Sequence, residues 1–574
     1  MSANTETGQL SGGELIARCL AAEGIELLFG LPCPEIEPLL VSLDDNGIRF
    51  FPVRHEAAAV HMAEGVYKTT GRVAAVIGNP GPGSANLVPG VVTAMHEGVP
   101  VLVMTAQHRL GLVYPSTPAT FQGQDQLDLF RSTVKWGGPV FEWSRIPEVM
   151  RMAFRHMLSG RPGPVHLELP APIIAATGDA ASAPVWPPGR SRAPLSCAPA
   201  RQVDAVTALL AGASRPMIVS GAGVDRAGAA ARLLELVELL NCPVITTTSG
   251  RATFPFDHPN VRGGYGEDGD RARREADVVL VLGSRMGNVD LPFDKYWGPA
   301  GACTLVQVDV EAANIGVSRP VDLAVVSDVS SFLDLLLTAL RERGVNRRGA
   351  QEMDGLARES SAYWQAMLAD TVAWKGEGIH PAHALAIVGE VFGDEPVYQV
   401  DGGMTSLWAG WFLPATRPRS YHGITELGML GTGVPAAVGA RLADPDREVL
   451  CLTGDGAAGF NFMELQSAAR EGVDITVVVF AEGSWTMEEP SELAAYGRTF
   501  GTEMGEVRWD RVAEGLGAYG EYVDRLDELA AALTRAREHR GPAVVCLRTS
   551  VEANRAVPGE MFQRFFEVYW GPMA

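Results

Sequence analysis

Leu452–Gly456 reads Leu-Thr-Gly-Asp-Gly directly after the apolar run Val449–Cys451. A strand ending in Gly454-Asp455-Gly456 sets a carboxylate at the carboxyl edge of a sheet. The flanking glycines let backbone N–H groups approach a phosphate. Mg²⁺ favours one or two carboxylates plus phosphate oxygens, so Asp455 can hold a metal that bridges to a diphosphate; an ordinary turn is the alternative. Two more glycine-rich stretches lie upstream. Asp401-Gly402-Gly403-Met404-Thr405 follows the apolar run Val397–Val400, and Glu426–Gly433 precedes a helical Pro435–Leu442. In the first third, Glu56 opens a helical stretch, where a glutamate ordinarily just complements the helix dipole.

Parallel sheets with crossover helices must position these residues. Short β-rich runs alternate with amphipathic stretches along all 574 residues, which predicts α/β architecture: three doubly wound parallel-sheet domains. The first spans 8–177 and includes strands Glu26–Gly30, Ala74–Ile77 and Val99–Thr105 with helices Gly13–Glu23, Ala57–Thr70 and Ser84–His96. A Pro-, Ala- and Ser-rich linker follows at 178–200, then a middle domain at 201–342 and a charged linker at 343–378. The last domain, 379–552, places strand Glu448–Thr453, helix Phe462–Glu471 and strand Ile475–Ala481 around the Gly-Asp-Gly turn. A tail, 553–574, carries five aromatics between Phe562 and Trp570, too apolar to stay solvated, and is expected to pack on the body or to act as a lid.

Composition narrows the function. The chain is 47% hydrophobic and 20% charged with a net charge of −21, which disfavours phosphate backbones and anionic membranes as partners. It shows no apolar run of the roughly 18 residues a membrane-spanning helix needs. The start, MSANTETGQL, lacks a basic n-region and an apolar h-region, so a cytoplasmic enzyme is expected. Seven scattered cysteines without a CxxC pair argue against a disulfide framework or a zinc site.

The run GDGAAGFNFMELQSAAREGVDITVVVFAEGSW, from Gly454, resembles the signature of thiamine-diphosphate (ThDP) enzymes. So does RHEAAAVHMAEGVYKTTGR with IGNPGPGSANLVPGVVTAMHEGVPVLVMTAQH in the first third, and the likeness to acetolactate-synthase-like and benzaldehyde-lyase-like members covers essentially the whole chain. The resemblance implies that Asp455, Glu482 and the carbonyl of Ser484 hold Mg²⁺ against the diphosphate. Gly402, Gly403, Gly454, Gly456 and Ala457 would surround that diphosphate. It implies that Leu430 bends the cofactor into a V and that the Gly428 carbonyl accepts from the pyrimidine amino group. Glu56 would hydrogen-bond the pyrimidine and so promote deprotonation of the thiazolium C2. The resulting carbanion attacks a substrate carbonyl. In the family the glutamate and the diphosphate site come from different subunits, so a homodimer or homotetramer with active sites between subunits is implied. The sequence departs from the pattern at Ala481-Glu482, where Asn-Asn is usual, and this adds a negative charge beside the diphosphate.

Phe121-Gln122 resembles the pair that acetolactate-synthase-like enzymes place over the thiazolium, with Gln122 donating to a substrate or intermediate oxygen; a polar loop residue is the plainer alternative. Glu488 follows Trp485 by three residues, as a glutamate does in some lyase-like relatives. That position suits a general acid or base, against the default of a solvated loop. Cys33 and His422 are pocket candidates whose plainer roles are structural. Gly221-Ala222-Gly223 is a partial nucleotide-binding turn lacking the third glycine, and Gly264-Tyr265-Gly266 and Gly283-Ser284-Arg285 are candidate nucleotide contacts. In the family the middle domain holds FAD, ADP, an acyl-CoA or nothing, and the sequence leaves these open. The expected activity is a Mg²⁺- and ThDP-dependent lyase or transferase acting on a small carbonyl or acyl substrate. Decarboxylation and carboligation of 2-oxo acids is the leading form and a 2-hydroxyacyl(-CoA) lyase the alternative. A catalytically idle binding or regulatory subunit and a nucleotide-dependent dehydrogenase are more remote.

Overall fold

The computed structural model describes residues 8–114, 119–193, 195–299, 301–347, 362–413, 415–423, 426–557 and 559–571. Its strands are β1 (Gln9–Ser11), β2 (Leu27–Gly30), β3 (Arg49–Pro52), β4 (Ala74–Gly78), β5 (Val101–Gln107), β6 (Trp136–Pro139), β7 (Val165–Pro170) and β8 (Thr177–Asp179) in the first third. The middle third holds β9 (Pro216–Ser220), β10 (Val244–Thr246), β11 (Val278–Leu282), β12 (Thr304–Asp309) and β13 (Leu323–Val326). The last third holds β14 (Val397–Asp401), β15 (Tyr421–Gly423), β16 (Val449–Gly454), β17 (Thr476–Ala481), β18 (Tyr519–Val523) and β19 (Ala543–Arg548).

Each third builds one wholly parallel sheet. The first is ordered β3-β2-β4-β5-β7-β6, the second β10-β9-β11-β12-β13 and the third β15-β14-β16-β17-β19-β18. Strands β4, β5, β9 and β11 are apolar runs buried at every residue, as parallel strands must be when helices cover both faces. Counted within its own sheet, the first sheet has the same strand order as the third, and the middle sheet follows it through its first four positions, its fifth strand then pairing directly with its fourth. Three doubly wound α/β domains are therefore present, and their ligand-binding edge lies where the winding reverses, between the first and third strands of each sheet.

A fourth, two-stranded sheet pairs β1 with β8 antiparallel, Gln9 facing Asp179. This corrects the linker start: Gly178 and Asp179 are strand residues that tie the end of the first domain to its beginning. Three residues of alternating exposure carry too little hydrophobic pattern to read as a strand. Helix Val329–Glu342 closes the middle domain, and the charged stretch after it contains helix Ala362–Ala373, with residues 348–361 outside the described residues. Among the described residues no helix is long and apolar enough to cross a membrane. All seven cysteines are unpaired.

The first and last domains meet through equivalent helices, Glu56–Thr70 and Gly433–Ala443, each of which joins the second strand of its sheet to the third. Both are built of small residues and buried along most of their length. A methyl at Gly65 would lie 2.0 Å from the Ala436 carbonyl oxygen, and one at Gly439 would lie 1.9 Å from that of Met62. Hydrogen bonds cross the same seam in both directions. Glu464 Oε1 accepts from the N–H groups of Arg54 and His55 at 2.9 and 3.1 Å, and Glu97 Oε1 accepts from that of Glu426 at 2.9 Å.

Candidate active site

The winding of the last sheet reverses between β14, which ends at Asp401, and β16, which ends at Gly454. Asp401 is fully buried, and its carboxylate accepts from the N–H groups of Gly431 and Gly433 at 3.3 and 2.8 Å, which fixes the loop carrying Leu430. Burial pushes its pKa up to about 6. Gly402 has φ +94°, and a Cβ there would lie 3.0 Å from the Gly454 nitrogen, so glycine lets the two strand ends close on each other. Helix Gly403–Phe412 starts beside helix Asp455–Asn461, and neither start has a side-chain cap. The second helix is a correction, because the sequence pattern places its helix only at Phe462–Glu471. Asp-Gly-Ala-Ala-Gly-Phe-Asn is a poor helix former by intrinsic propensity, but burial of Asp455, Ala457 and Ala458 against the sheet overrides that preference. Helix Glu464–Glu471 follows it.

Asp455 is 8% exposed, and its carboxylate collects three N–H donors: Gly456 at 2.8 Å, Glu482 at 3.0 Å and Gly483 at 2.6 Å. Burial nonetheless raises its pKa. Glu482 sits at the end of β17, where its carboxylate accepts from Thr486, from Asn554 and, at 3.4 Å, from Thr549. Burial, with Asp455 close by, pushes its pKa up to about 8. The Ser484 hydroxyl lies 2.6 Å from Glu489 Oε1 and 3.0 Å from the Thr502 carbonyl, which leaves the Ser484 carbonyl as its donor toward a metal. Glu489, fully buried, is neutralised by Arg555 at 2.7 Å. Among the described residues no group of three His, Cys, Asp or Glu side chains is placed to hold a metal ion.

These residues border one cavity of about 690 Å³. Its wall includes every candidate from the last third except His422: Gly402, Gly403, Gly428, Leu430, Gly454, Asp455, Gly456, Ala457, Glu482, Ser484 and Glu488. Glu488 is exposed there. Ser406, also on the wall, has a buried hydroxyl without a hydrogen-bond partner, beside the two helix starts. An oxyanion at this point would satisfy that hydroxyl and the helix N–H groups together. Sequence reading missed Ser406, which stands four residues beyond Gly402 in an unremarkable helical turn.

The cavity extends between the last and middle domains, reaching Arg251, Gly264, Tyr265 and Gly266. Gly221 and Gly223 do not reach it. A Cβ on either would lie 2.4–2.6 Å from atoms of Gly283, so both serve close packing of two strand ends. Arg285 instead pairs with Glu426 at 2.7 Å. His422 is buried and bonded to Gln399 at 3.0 Å; its strand neighbours Tyr421 and Gly423 face the cavity in its place. Cys33 packs on the core of the first domain, where burial and Glu35 push its pKa up to about 12.

No described residue of the first domain borders this cavity. Glu56 and Gln122 belong to a second cluster. Glu56 is 4% exposed at its helix start, and its Oε2 accepts from Asn86 at 3.0 Å. Asn79-Pro80-Gly81-Pro82-Gly83 closes around it: a Cβ on Gly83 would lie 3.1 Å from Glu56 Oε1, and one on Gly81 would lie 3.0 Å from Gln122 Cβ. Gln122 adopts φ +55°, a strained conformation for glutamine, while its neighbour Phe121 is 79% exposed.

The tail forms helix Gly559–Trp570. Its polar contacts run to the middle domain: Glu567 with Lys295 and, at 2.8 Å, Tyr296; Arg564 with Asp270 at 2.8 Å; and the Val568 carbonyl with Asn288 at 2.7 Å. The tail packs on the body as expected, with Phe566 against the core of the last domain, while Tyr569 and Trp570 remain 71% and 79% exposed. Val568 and Tyr569 border the cavity.

Comparison with known proteins decides the family. Residues 10–129 match the thiamine pyrophosphate enzyme N-terminal TPP binding domain, 203–336 its central domain and 401–547 its C-terminal TPP binding domain. The chain belongs to the thiamine pyrophosphate enzyme family. Within it the relatives are of the acetolactate synthase kind. An acetolactate synthase of Mycobacterium bovis is 30% identical over 92% of this chain and 86% of its own length. Acetolactate synthase isozyme 3 large subunit of Escherichia coli is 29% identical over 96% of both chains, and a probable acetolactate synthase large subunit of Methanococcus aeolicus 29% over 92% and 90%. This thiamine pyrophosphate enzyme thus carries both TPP-binding domains on one chain, with the Glu56 cluster on the first and the cavity beside the second.

Proposed function

We propose that the protein is a Mg²⁺- and ThDP-dependent enzyme that decarboxylates a 2-oxo acid and joins the remaining fragment to a second carbonyl compound. The observation that carries this reading is the gathering of Gly402, Ser406, Gly456 and Asp455 around one cavity, with an unpartnered hydroxyl and two uncapped helix starts facing the place of a diphosphate. Asp455, Glu482 and the Ser484 carbonyl would hold the metal, and Leu430 and Gly428 would meet the middle of the cofactor. When bound, the cofactor supplies a nucleophilic carbon and an electron sink.

Glu56 would reach the cofactor of a second subunit, because it lies in a separate cluster from the cavity of its own chain. Buried at its helix start and held by Asn86, the carboxyl is positioned to exchange a proton with one heterocyclic nitrogen. Gln122 beside it would donate to a substrate oxygen. A dimer is then the smallest active unit. A second reading, cleavage of 2-hydroxyacyl substrates, rests on Glu488, whose exposed side chain stands on the cavity wall and would serve as a general acid or base.

The test is exchange of the cofactor C2 proton with solvent deuterium, followed by proton NMR after acid quench. Wild-type protein with ThDP and Mg²⁺ is expected to exchange rapidly, and Glu56→Gln to lose at least 100-fold in rate while still binding ThDP. Rapid exchange in the variant would refute the role of Glu56. Adducts trapped from pyruvate and from a 2-hydroxyacyl-CoA, offered separately, decide between the two readings.

A further inference from the structure

Arg251 lies in the turn after β10 and is 8% exposed on the cavity wall. Its guanidinium carbon sits 3.6 Å from the centre of the Phe256 ring and 5.8 Å from that of Tyr421. Among the described residues its one side-chain hydrogen bond runs to the Leu413 carbonyl at 3.3 Å, and no carboxylate pairs with it. The other arginines bordering or approaching the cavity are occupied. Arg273 is held by Asp270 at 2.5 Å, Arg285 by Glu426 at 2.7 Å, and Arg262 by the Pro259 and Val261 carbonyls at 2.8 Å. Burial lowers the pKa of Arg251 to about 10, which leaves it charged at neutral pH.

A guanidinium carries five N–H donors, and removing it from water without an anion is costly. Phe256 covers a face of the group, so what it can offer a ligand is its planar N–H edge. That edge matches a carboxylate through two parallel hydrogen bonds. Tyr421, on which Arg251 also leans, borders the cavity with Gly423, Gly428 and Leu430, where the middle of the cofactor is placed above. We propose that Arg251 binds a carboxylate that the substrate retains through the reaction, either that of an acceptor 2-oxo acid or the second carboxylate of a dicarboxylic 2-oxo acid. This rests on the functional reading above. It makes Arg251 a determinant of specificity for anionic over neutral acceptors.

Trp297, Trp411 and Trp485 border the cavity, so tryptophan fluorescence of the full chain reports its occupancy. Without added ThDP nothing turns over, and pyruvate, 2-oxoglutarate and ADP can be titrated in turn. At least one 2-oxo acid is expected to quench the wild type and to bind Arg251→Met about 10- to 100-fold more weakly, with Arg251→Lys between the two. Equal affinity of wild type and Arg251→Met for both acids, or no quenching of wild type by either, would overturn the proposal. Dependence on Arg251 for ADP alone would overturn it too, by identifying the anion as a phosphate. Should Arg251→Met not fold, phenylglyoxal labelling of wild-type Arg251, mapped by mass spectrometry, replaces it. Slower labelling with the 2-oxo acid present supports the proposal, and unchanged labelling refutes it. ThDP binding is titrated separately, so failure of the cofactor reading is seen apart from failure of this one.

Discussion

Two glycines three residues apart in helix Asp455–Asn461 have opposite surroundings. A Cβ at Gly456 would lie 2.4 Å from the Trp485 ring, whereas nothing stands within 4 Å of one at Gly459. Gly456→Ala must therefore push Trp485 into the cavity or shift the helix start that carries Asp455. It is expected to weaken ThDP binding by at least 10-fold in calorimetric titration. Gly459→Ala replaces a poor helix former by a good one in open space, and should leave binding unchanged while adding about 0.5–1 kcal/mol of stability. Equal effects of the two on binding would show that the helix start does not shape the cofactor site. Residues of this kind were legible in the sequence because they sit in short contiguous runs, Gly-Asp-Gly or Asn-Pro-Gly-Pro-Gly, whose backbone demands few other residues meet. Ser406 and Arg251 were not. Each is a common residue type in ordinary context, and only the approach of chain segments far apart in sequence gives it an unpartnered polar group on a cavity wall.

At the scale of elements, the crossing of helices Glu56–Thr70 and Gly433–Ala443 joins the domain that carries Glu56 to the domain that carries Leu430. The contact is backbone on backbone. Gly65 faces the Ala436 carbonyl, Gly439 faces that of Met62, and a methyl at either must displace a peptide group rather than a flexible side chain. Gly65→Ala and Gly439→Ala are each expected to cost about 1–3 kcal/mol in urea unfolding, despite alanine's better helix propensity. An unchanged or raised midpoint would mean that the helices have room to separate. The small-residue character of the first helix was plain in the sequence, but its partner was not, because alanine and glycine runs name no address. The shared strand order of the first and last sheets was equally hidden, since it repeats connections and not residues. The tail's packing on the body was legible in its aromatics, but its ion pairs from Arg564 and Glu567 to middle-domain residues were not, because charged residues name no partner.

Over the whole molecule, a cavity bordered by two domains keeps its shape only if those domains hold a fixed relation, and Arg419 bears on that relation directly. It belongs to the last domain, adopts φ +55°, and reaches both others. Its guanidinium donates to the Tyr67 and Lys68 carbonyls of the first domain at 3.1 and 3.3 Å and to the Asp225 carbonyl of the middle domain at 2.9 Å. Its backbone N–H also donates to the Asp225 carboxylate at 3.4 Å. Asp225 is largely buried, and Arg419 offsets part of the burial that raises its pKa. Arg419→Ala strips three carbonyls of a charged donor at once and removes the attraction that offsets part of the burial of Asp225. Hydrogen bonds from a charged group contribute about 1.5–3 kcal/mol each when partners are left buried, with losses shared among neighbours, so a fall of about 2–4 kcal/mol in stability is expected. Because the bonds lie between domains, the loss should also separate their unfolding. Calorimetry of the variant is expected to resolve the single wild-type transition into at least two, with the middle domain melting first. Limited proteolysis should then cut first in the segments flanking residues 201–342. A variant that melts in one step at the wild-type temperature would show that the remaining seams hold the three domains without Arg419.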